Sequence, residues 1–275
     1  MNSSFAGFAA KACAFLRRDL LIALSYRLQF FIESVGIFFT STTLFLAARL
    51  IDGQGQGYLA PYGGDFFSFV IIGVALTDYL MITTNAFASE IRKSQVVGTL
   101  EALLVSPTSI NTILSLSLLY TMLTTSLRVF AYLGLGILFF DMKLELSGLG
   151  PLLIAFSATL LPFIGIGLLS AAFIIAFKQG SPIAWLMGVS NTLLAGVLYP
   201  VSVLPEWLRP VSALLPLTHG LEAIRQVMLN GAGLTDIGHQ LTTLTIFALL
   251  FLVSGLWAIK KSLEIARRDG SLLHY

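Results

Sequence analysis

The sequence predicts an all-α polytopic membrane protein with six transmembrane helices, and three observations lead there. Of 275 residues, 56% are hydrophobic and 11% charged, and the mean hydropathy of +0.88 lies outside the range of a water-soluble domain of this size. Apolar runs recur at the length, about 20 residues, that carries a helix across the hydrocarbon core. Lysine and arginine gather on one side of the resulting arrangement, as they do in membrane proteins oriented by cytoplasmic charge. A transmembrane barrel would instead show repeated segments of about ten residues alternating apolar and polar. Runs such as 244–256 do not alternate.

Taken in order, residues 5–25 come first. Phe5, Phe8, Ala12, Phe15 and Leu16 fall on one arc of a helix, with Lys11, Arg17 and Arg18 off it. That is the pattern of a helix lying in the cytoplasmic interface, aromatic groups toward the acyl chains and basic groups at the phosphates. The plainer reading is a basic flank that only orients the first span. Because Lys11, Arg17, Arg18 and Asp19 interrupt the apolar residues early, no cleaved signal is expected.

Spans are predicted at 28–51, 66–88, 110–140, 151–177, 183–200 and 241–260. One side then collects Lys11, Arg17, Arg18, Arg27, Arg92, Lys93, Lys178, Lys260, Lys261, Arg267 and Arg268, and the other Arg49, Lys143, Arg209 and Arg225. Both termini are thereby placed in the cytoplasm of a cell (inner) membrane protein. An odd number of spans would separate the basic C-terminal tail from Arg17 and Arg18, so the charge pattern supports the even count.

Two connections carry more pattern than a connection needs. Between spans two and three, residues 89–107 are too polar to span. Ile91, Val97, Leu100, Leu103 and Leu104 can face lipid or the bundle, leaving Glu90, Arg92, Lys93 and Glu101 for water or a partner protein, before Pro107 stops the helix. A solvated loop whose charges anchor two spans is the plainer alternative. Between spans five and six, residues 200–225 are apolar yet broken by Pro200, Pro205, Pro210 and Pro216. Short helices that dip into the outer leaflet and return suit this spacing better than one spanning helix, although an outer lid packed on the bundle fits equally. Trp207 suits the interface level, and Glu222 and Arg225, one helical turn apart, can pair.

Charge and motif content exclude several functions. Sixteen basic against 14 acidic residues give a net charge of +2, without the basic footprint of a nucleic-acid binder. The single cysteine, Cys13, can build neither an internal disulfide nor a zinc–thiolate site. His219, His239 and His274 make no metal-binding or metalloprotease motif, so neither a metal nor a catalytic centre is expected. Lys93 and Lys261 each precede a serine, but neither follows the glycines of a phosphate-binding loop, so ATP chemistry would have to reside on another chain.

Three charged residues fall inside predicted spans. Glu33 lies near the cytoplasmic end, where it can snorkel. Asp78 and Arg128 lie deeper, where insertion costs about 2.5–3.5 kcal/mol each and calls for a partner, water or a function. The two are expected to line a translocation path or a dimer interface, or else to form a structural bridge, with Arg128 a turn or two nearer the outside. Gly165, Gly167, Ala171 and Ala172 would allow close helix approach in the fourth span.

Both patterned connections point to one family. Glu90, Gly98-Thr-Leu-Glu101, Leu103-Leu104 and Ser106-Pro107 inside, with Pro200, Leu204-Pro205-Glu-Trp-Leu208, Pro216-Leu217 and Glu222-Ala-Ile-Arg225 outside, resemble the membrane subunit of type-two ATP-binding-cassette (ABC) exporters. That family includes drug, polysaccharide and teichoic-acid permeases. The resemblance covers nearly the whole chain as one transmembrane domain, 1–275. It departs at Leu215, where many relatives carry Asn before the proline.

The resemblance implies a homodimer or pseudo-dimer in membrane lipid, powered by two separate cytoplasmic ATPase subunits that hold ATP and Mg, with no cofactor on this chain. It implies a coupling helix in 89–107, with Glu90, Arg92, Gly98, Thr99, Glu101 and Pro107 at the contact, and export of an amphipathic drug, lipid or lipid-linked glycan through the dimer interface. An ATP-independent six-span channel or ion-coupled carrier, using Asp78 and Arg128, is the rival. An intramembrane enzyme would need a convergent nucleophile and base or a metal cluster, which the scattered histidines do not supply.

Overall fold

The computed structural model describes residues 27–51, 56–96, 110–145, 148–177 and 182–268. The described residues are helices, short turns and irregular segments, with no strand among them. The helices are α1 (Arg27–Ile51), α2 (Phe66–Val96), α3 (Ile110–Phe139), α4 (Leu149–Phe177), α5 (Pro182–Leu194), α6 (Arg209–Ala213), α7 (Pro216–Asn230) and α8 (Gly238–Arg268). A single turn at Gln56–Leu59 and a 3-10 turn at Ala60–Tyr62 precede α2, and another 3-10 turn, Val201–Val203, precedes α6. The segment 5–25 expected to lie in the interface falls outside the described residues.

Five helices, α1, α2, α3, α4 and α8, are long and apolar enough to cross a membrane, making the chain a polytopic membrane protein. The predicted fifth span, 183–200, differs from expectation. Its helix, α5, has 13 residues, which at 1.5 Å per residue covers roughly 20 Å of a core about 30 Å thick. Beyond Leu194 the chain bends through 195–199, with Gly196 in the left-handed region at φ +79°. Hydropathy alone cannot separate those apolar bends from helix, so the sequence reads one span where the structure has a short helix and an irregular exit.

Two helices form the centre. In their most apolar windows α2 and α4 are 67% and 61% buried, against 17%, 17% and 22% for α1, α3 and α8. The main core cluster joins Phe67, Ile71, Leu76 and Leu80 of α2, Ala155 and Phe163 of α4, and Leu217, Leu221, Ile224 and Val227 of α7. A second cluster, toward the C-terminal ends of α2 and α4, joins Phe87 and Ile91 to Ala171, Ala172, Ile175 and Ile259.

Small residues set the closest helix seam, as the sequence suggests. At Gly165 of α4 an added Cβ would lie 2.6 Å from the backbone nitrogen of Leu252 in α8, and at Gly255 of α8 one would lie 2.7 Å from the carbonyl oxygen of Gly165. Gly167 meets the Thr84 carbonyl of α2 in the same way, at 2.9 Å. The neighbouring atoms are backbone, so neither side of the α4–α8 seam can yield without moving a helix.

Gly165→Ala should therefore destabilise the protein by about 1–3 kcal/mol, the usual range for overpacking. Gly150→Ala should be near neutral, because a Cβ there meets nothing within 4 Å. Thermal unfolding of the two variants in one detergent compares them directly.

Candidate functional site

Two polar constellations stand out from this apolar frame, one within the membrane helices and one near the N-terminal end of α2. Most hydroxyl groups in the spans bond back to their own helix. Thr77 donates to the Gly73 carbonyl at 2.7 Å, Thr84 to Leu80 at 2.8 Å, Thr125 to Thr121 at 2.7 Å and Ser126 to Met122 at 2.7 Å. Such groups are satisfied locally and ask nothing of a neighbour.

The intramembrane charges behave differently. Arg128 of α3 bridges two carboxylates, with Nη2 2.7 Å from Glu33 Oε2 of α1 and Nη1 3.5 Å from Asp78 Oδ2 of α2. Asp78 lies roughly 18 Å from the N-terminal end of α2 and Arg128 roughly 16 Å from the C-terminal end of α3, at 1.5 Å per residue. The offset of a turn or two expected between them is therefore absent. Glu33, which its place near the helix end would let snorkel, is the nearer partner of the guanidinium. Tyr132, one turn further along α3, neighbours Asp78 and Arg128 and faces Thr40. The bridge makes α1, α2 and α3 share one charged group in an otherwise apolar contact, the arrangement by which ionisable residues are tolerated in a membrane.

The second constellation is built on the proline-broken region. Each proline opens a short element: Pro200 precedes the Val201–Val203 turn, the Pro205 carbonyl accepts from Leu208 N at 2.9 Å, Pro210 sits in the first turn of α6, and Pro216 in that of α7. Proline has no N–H and a fixed φ, so it fits the start of a helix and not its interior. Trp207 is exposed. Arg209 ties the turn together, donating to the carbonyls of Leu204 at 3.0 Å and Ser202 at 2.8 Å.

Helix α7 runs antiparallel to α2. Near its start, Gly220 packs on Thr159, where an added Cβ would lie 2.7 Å from Oγ1. Thr159 is roughly 15 Å along α4 from its N-terminal end. At its other end Asn230 donates to the Pro61 carbonyl at 2.6 Å, in the turn before α2.

Arg225 lies between these ends and is 2% exposed. Its Nη1 donates to the Gly196 carbonyl at 2.7 Å and its Nη2 to that of Val197 at 2.9 Å. Nε and Nη2 both donate to the Phe69 carbonyl, at 3.1 and 2.9 Å, and the guanidinium carbon stands 3.4 Å from the Phe69 ring centroid. The expected pairing of Glu222 with Arg225 is thus replaced by another. Glu222 accepts from the Tyr62 hydroxyl at 2.5 Å and from Gln226 Nε2 at 2.8 Å. Burial, reinforced by the neighbouring Glu222 charge, pushes the Tyr62 hydroxyl well above its ordinary pKa and keeps it a donor.

Sequence reasoning missed Tyr62, Phe69, Gly73, Gly196 and Val197. Three of these contribute carbonyl oxygens, which no side-chain pattern announces. Gly73 gave a usable signal, a glycine inside an apolar span: a Cβ there would lie 2.5 Å from the Val197 carbonyl oxygen and collide with Arg225.

Of the residues assigned to coupling, Glu90 is half-buried and Arg92 exposed at the C-terminal end of α2. Gly98, Thr99, Glu101 and Pro107 lie outside the described residues.

The family described as ABC-2 type transporter matches residues 13–229, which hold α1 to α6, all of α7 but its last residue, and nearly all of both constellations. The chain belongs to this family. Linearmycin resistance permease protein LnrN of Bacillus subtilis (strain 168) is 27% identical over 104 residues, which are 38% of this ABC-2 chain and 27% of that relative. The alignment therefore spans about a quarter of the curated relative's length.

In the ABC-2 chain, Arg128→Met would leave Glu33 and Asp78 facing each other without the guanidinium, whereas Arg128→Met with Asp78→Asn removes one of the two repelling charges. A double-mutant cycle should therefore show favourable coupling of about 1–2 kcal/mol between Arg128 and Asp78. Unfolding of the four proteins in detergent measures it, and additive losses would mean that the Arg128–Asp78 limb contributes nothing.

Proposed function

We propose that the chain is the permease subunit of an ATP-driven exporter, acting as a dimer with two separate ATPase subunits that bind ATP and Mg. The observation that carries this reading is the family match over 13–229, joined to a sequence with no phosphate-binding loop of its own. In this reading α5 and its exit make the fifth of six crossings. Contacts support it: Gly188 faces Met81 and Val197 faces Gly73, so the pair runs antiparallel beside α2 over its outer half. Both termini then lie in the cytoplasm, 5–25 rests in the inner interface, and α6 with α7 forms a re-entrant hairpin in the outer leaflet.

Coupling is assigned to 89–107, with Glu90, Arg92, Gly98, Thr99, Glu101 and Pro107 docking in the ATPase. The continuous helix α2 joins that segment to the membrane. The route is assigned to the interface between two copies, with Asp78 and Arg128 as its polar contacts. The cargo we assign is an amphipathic small molecule or lipid. The resistance named for the Bacillus relative favours the small molecule.

A gentle-detergent purification of the tagged chain from its native membrane should bring an ATP-hydrolysing subunit in near-equal amount. Glu101→Arg should abolish that association while the permease stays folded. Reproducible absence of an ATPase beside folded wild-type permease would favour the ATP-independent carrier, with Asp78 as its first residue to test.

A further inference from the structure

Arg225 is a charged side chain in an apolar interior, and its partners belong to two separate parts of the chain. Phe69 lies in the first turns of α2, and Gly196 and Val197 in the irregular exit from α5, while Arg225 itself is on α7. Among the described residues no carboxylate lies within ion-pair distance of it. The guanidinium is held by carbonyl oxygens and by the face of one ring.

We infer that Arg225 is a positioning residue that locks α7, the α5 exit and the outer end of α2 into one body, so that export opens along other seams and not between these three. The inference rests on the exporter reading for what opens, but the lock itself does not. If α7 swung away from α2, Arg225 would leave the Phe69 carbonyl and ring. If the α5 exit moved instead, the carbonyls of Gly196 and Val197 would be stranded at membrane depth, where water does not replace the lost donors. Either hinge also strands a buried cation. Moving the three segments together breaks none of these bonds.

Further ties run the same way. Tyr62 holds Glu222 and Asn230 holds the Pro61 carbonyl, while the Glu145 N–H, in the connection after α3, donates to the Met228 carbonyl at 2.8 Å and adds a contact from outside the three segments. At the inner end of α7, Thr218 donates to the Ser212 carbonyl and Ser212 to that of Leu194, both at 2.7 Å. The seams without such bonds are apolar: the outward faces of α1, α3 and α8 carry Phe39, Leu127, Phe130, Leu249 and Val253, all largely exposed.

Lysine keeps the charge of Arg225 but lacks the fork that reaches three carbonyls at once. Gly73→Ala disturbs the same geometry from the α2 side without altering Arg225. Hydrogen–deuterium exchange of the purified permease, alone and with its ATPase in resting and ATP–vanadate states, tests the inference.

In the wild type, peptides covering 66–74, 195–200 and 216–230 should stay equally protected in every state. In Arg225→Lys and in Gly73→Ala all three should exchange together, roughly tenfold faster or more, while the α4–α8 seam remains protected. Selective exposure of 216–230 or 195–200 in the wild-type ATP–vanadate state would overturn the lock. So would Arg225→Lys exchange matching the wild type, or exposure of the α4–α8 seam in step with the other peptides, which would make Arg225 a staple of the whole fold. Failure of an ATPase to co-purify would strike the exporter reading alone, since the comparison of variants needs only the permease.

Discussion

A helix that ends among apolar surroundings leaves carbonyl oxygens with no water to donate to them, and the part of this protein around the exit from α5 is organised around that constraint. Leu193 and Leu194 lose their helical partners as α5 stops, and Gly196 and Val197 follow in bent backbone. Every one of these carbonyls is met by a side chain: Leu193 by the Tyr199 hydroxyl, Leu194 by Ser212, and Gly196 and Val197 by Arg225. Irregular backbone survives at membrane depth only when its polar groups are satisfied by surrounding protein. The folding back of α6 and α7 supplies those groups, so the proline-broken region is a structural requirement of the short fifth helix.

From that constraint follows a division of the molecule. Helix α2 and helix α4, with α7 against both, make the buried centre, and α8 joins them through a glycine seam that leaves no space for a side chain. Helices α1 and α3 attach at the side of α2, largely by apolar contact and by the Glu33–Arg128–Asp78 bridge. Close glycine packing resists sliding because backbone cannot be compressed, whereas an ion pair on flexible side chains tolerates small shifts while keeping its partners. The centre is therefore the stiffer part and the α1–α3 flank the more adaptable.

Hydropathy made α1, α2, α3, α4 and α8 legible to within a few residues at most ends, because burial in lipid selects composition over a fixed length. The extension of α2 to Val96, beyond the predicted 88, follows from its passing out of the apolar core while the helix continues. Prolines correctly marked where 200–225 breaks. The true length of α5 was hidden because Ala195, Val197 and Leu198 are as apolar in a bend as in a helix. The site was less legible. Helical spacing suggested Glu222 with Arg225, but spacing counts only neighbours on one helix, and the partners of Arg225 are carbonyls of residues far away in sequence. The partner of Glu33 was hidden for a similar reason: its distance from the helix end says nothing of which helix stands beside it.

Helix α2 is the element that all of these features share. Its C-terminal end carries Glu90 and Arg92, its middle Asp78, and its first turns the Phe69 carbonyl and the space at Gly73 that admits Arg225. A continuous helix of 31 residues is about 46 Å long and resists bending over that span. A push at the inner end, such as the proposed ATPase would deliver through 89–107, cannot then be absorbed along α2. It must tilt or shift the whole helix, and with it whatever is bonded to the outer turns. Because Arg225 binds α7 and the α5 exit to those same turns, such a push would, on the proposed lock, displace the three segments as a unit. The charge bridge keeps Asp78 in register with α1 and α3 as that body moves.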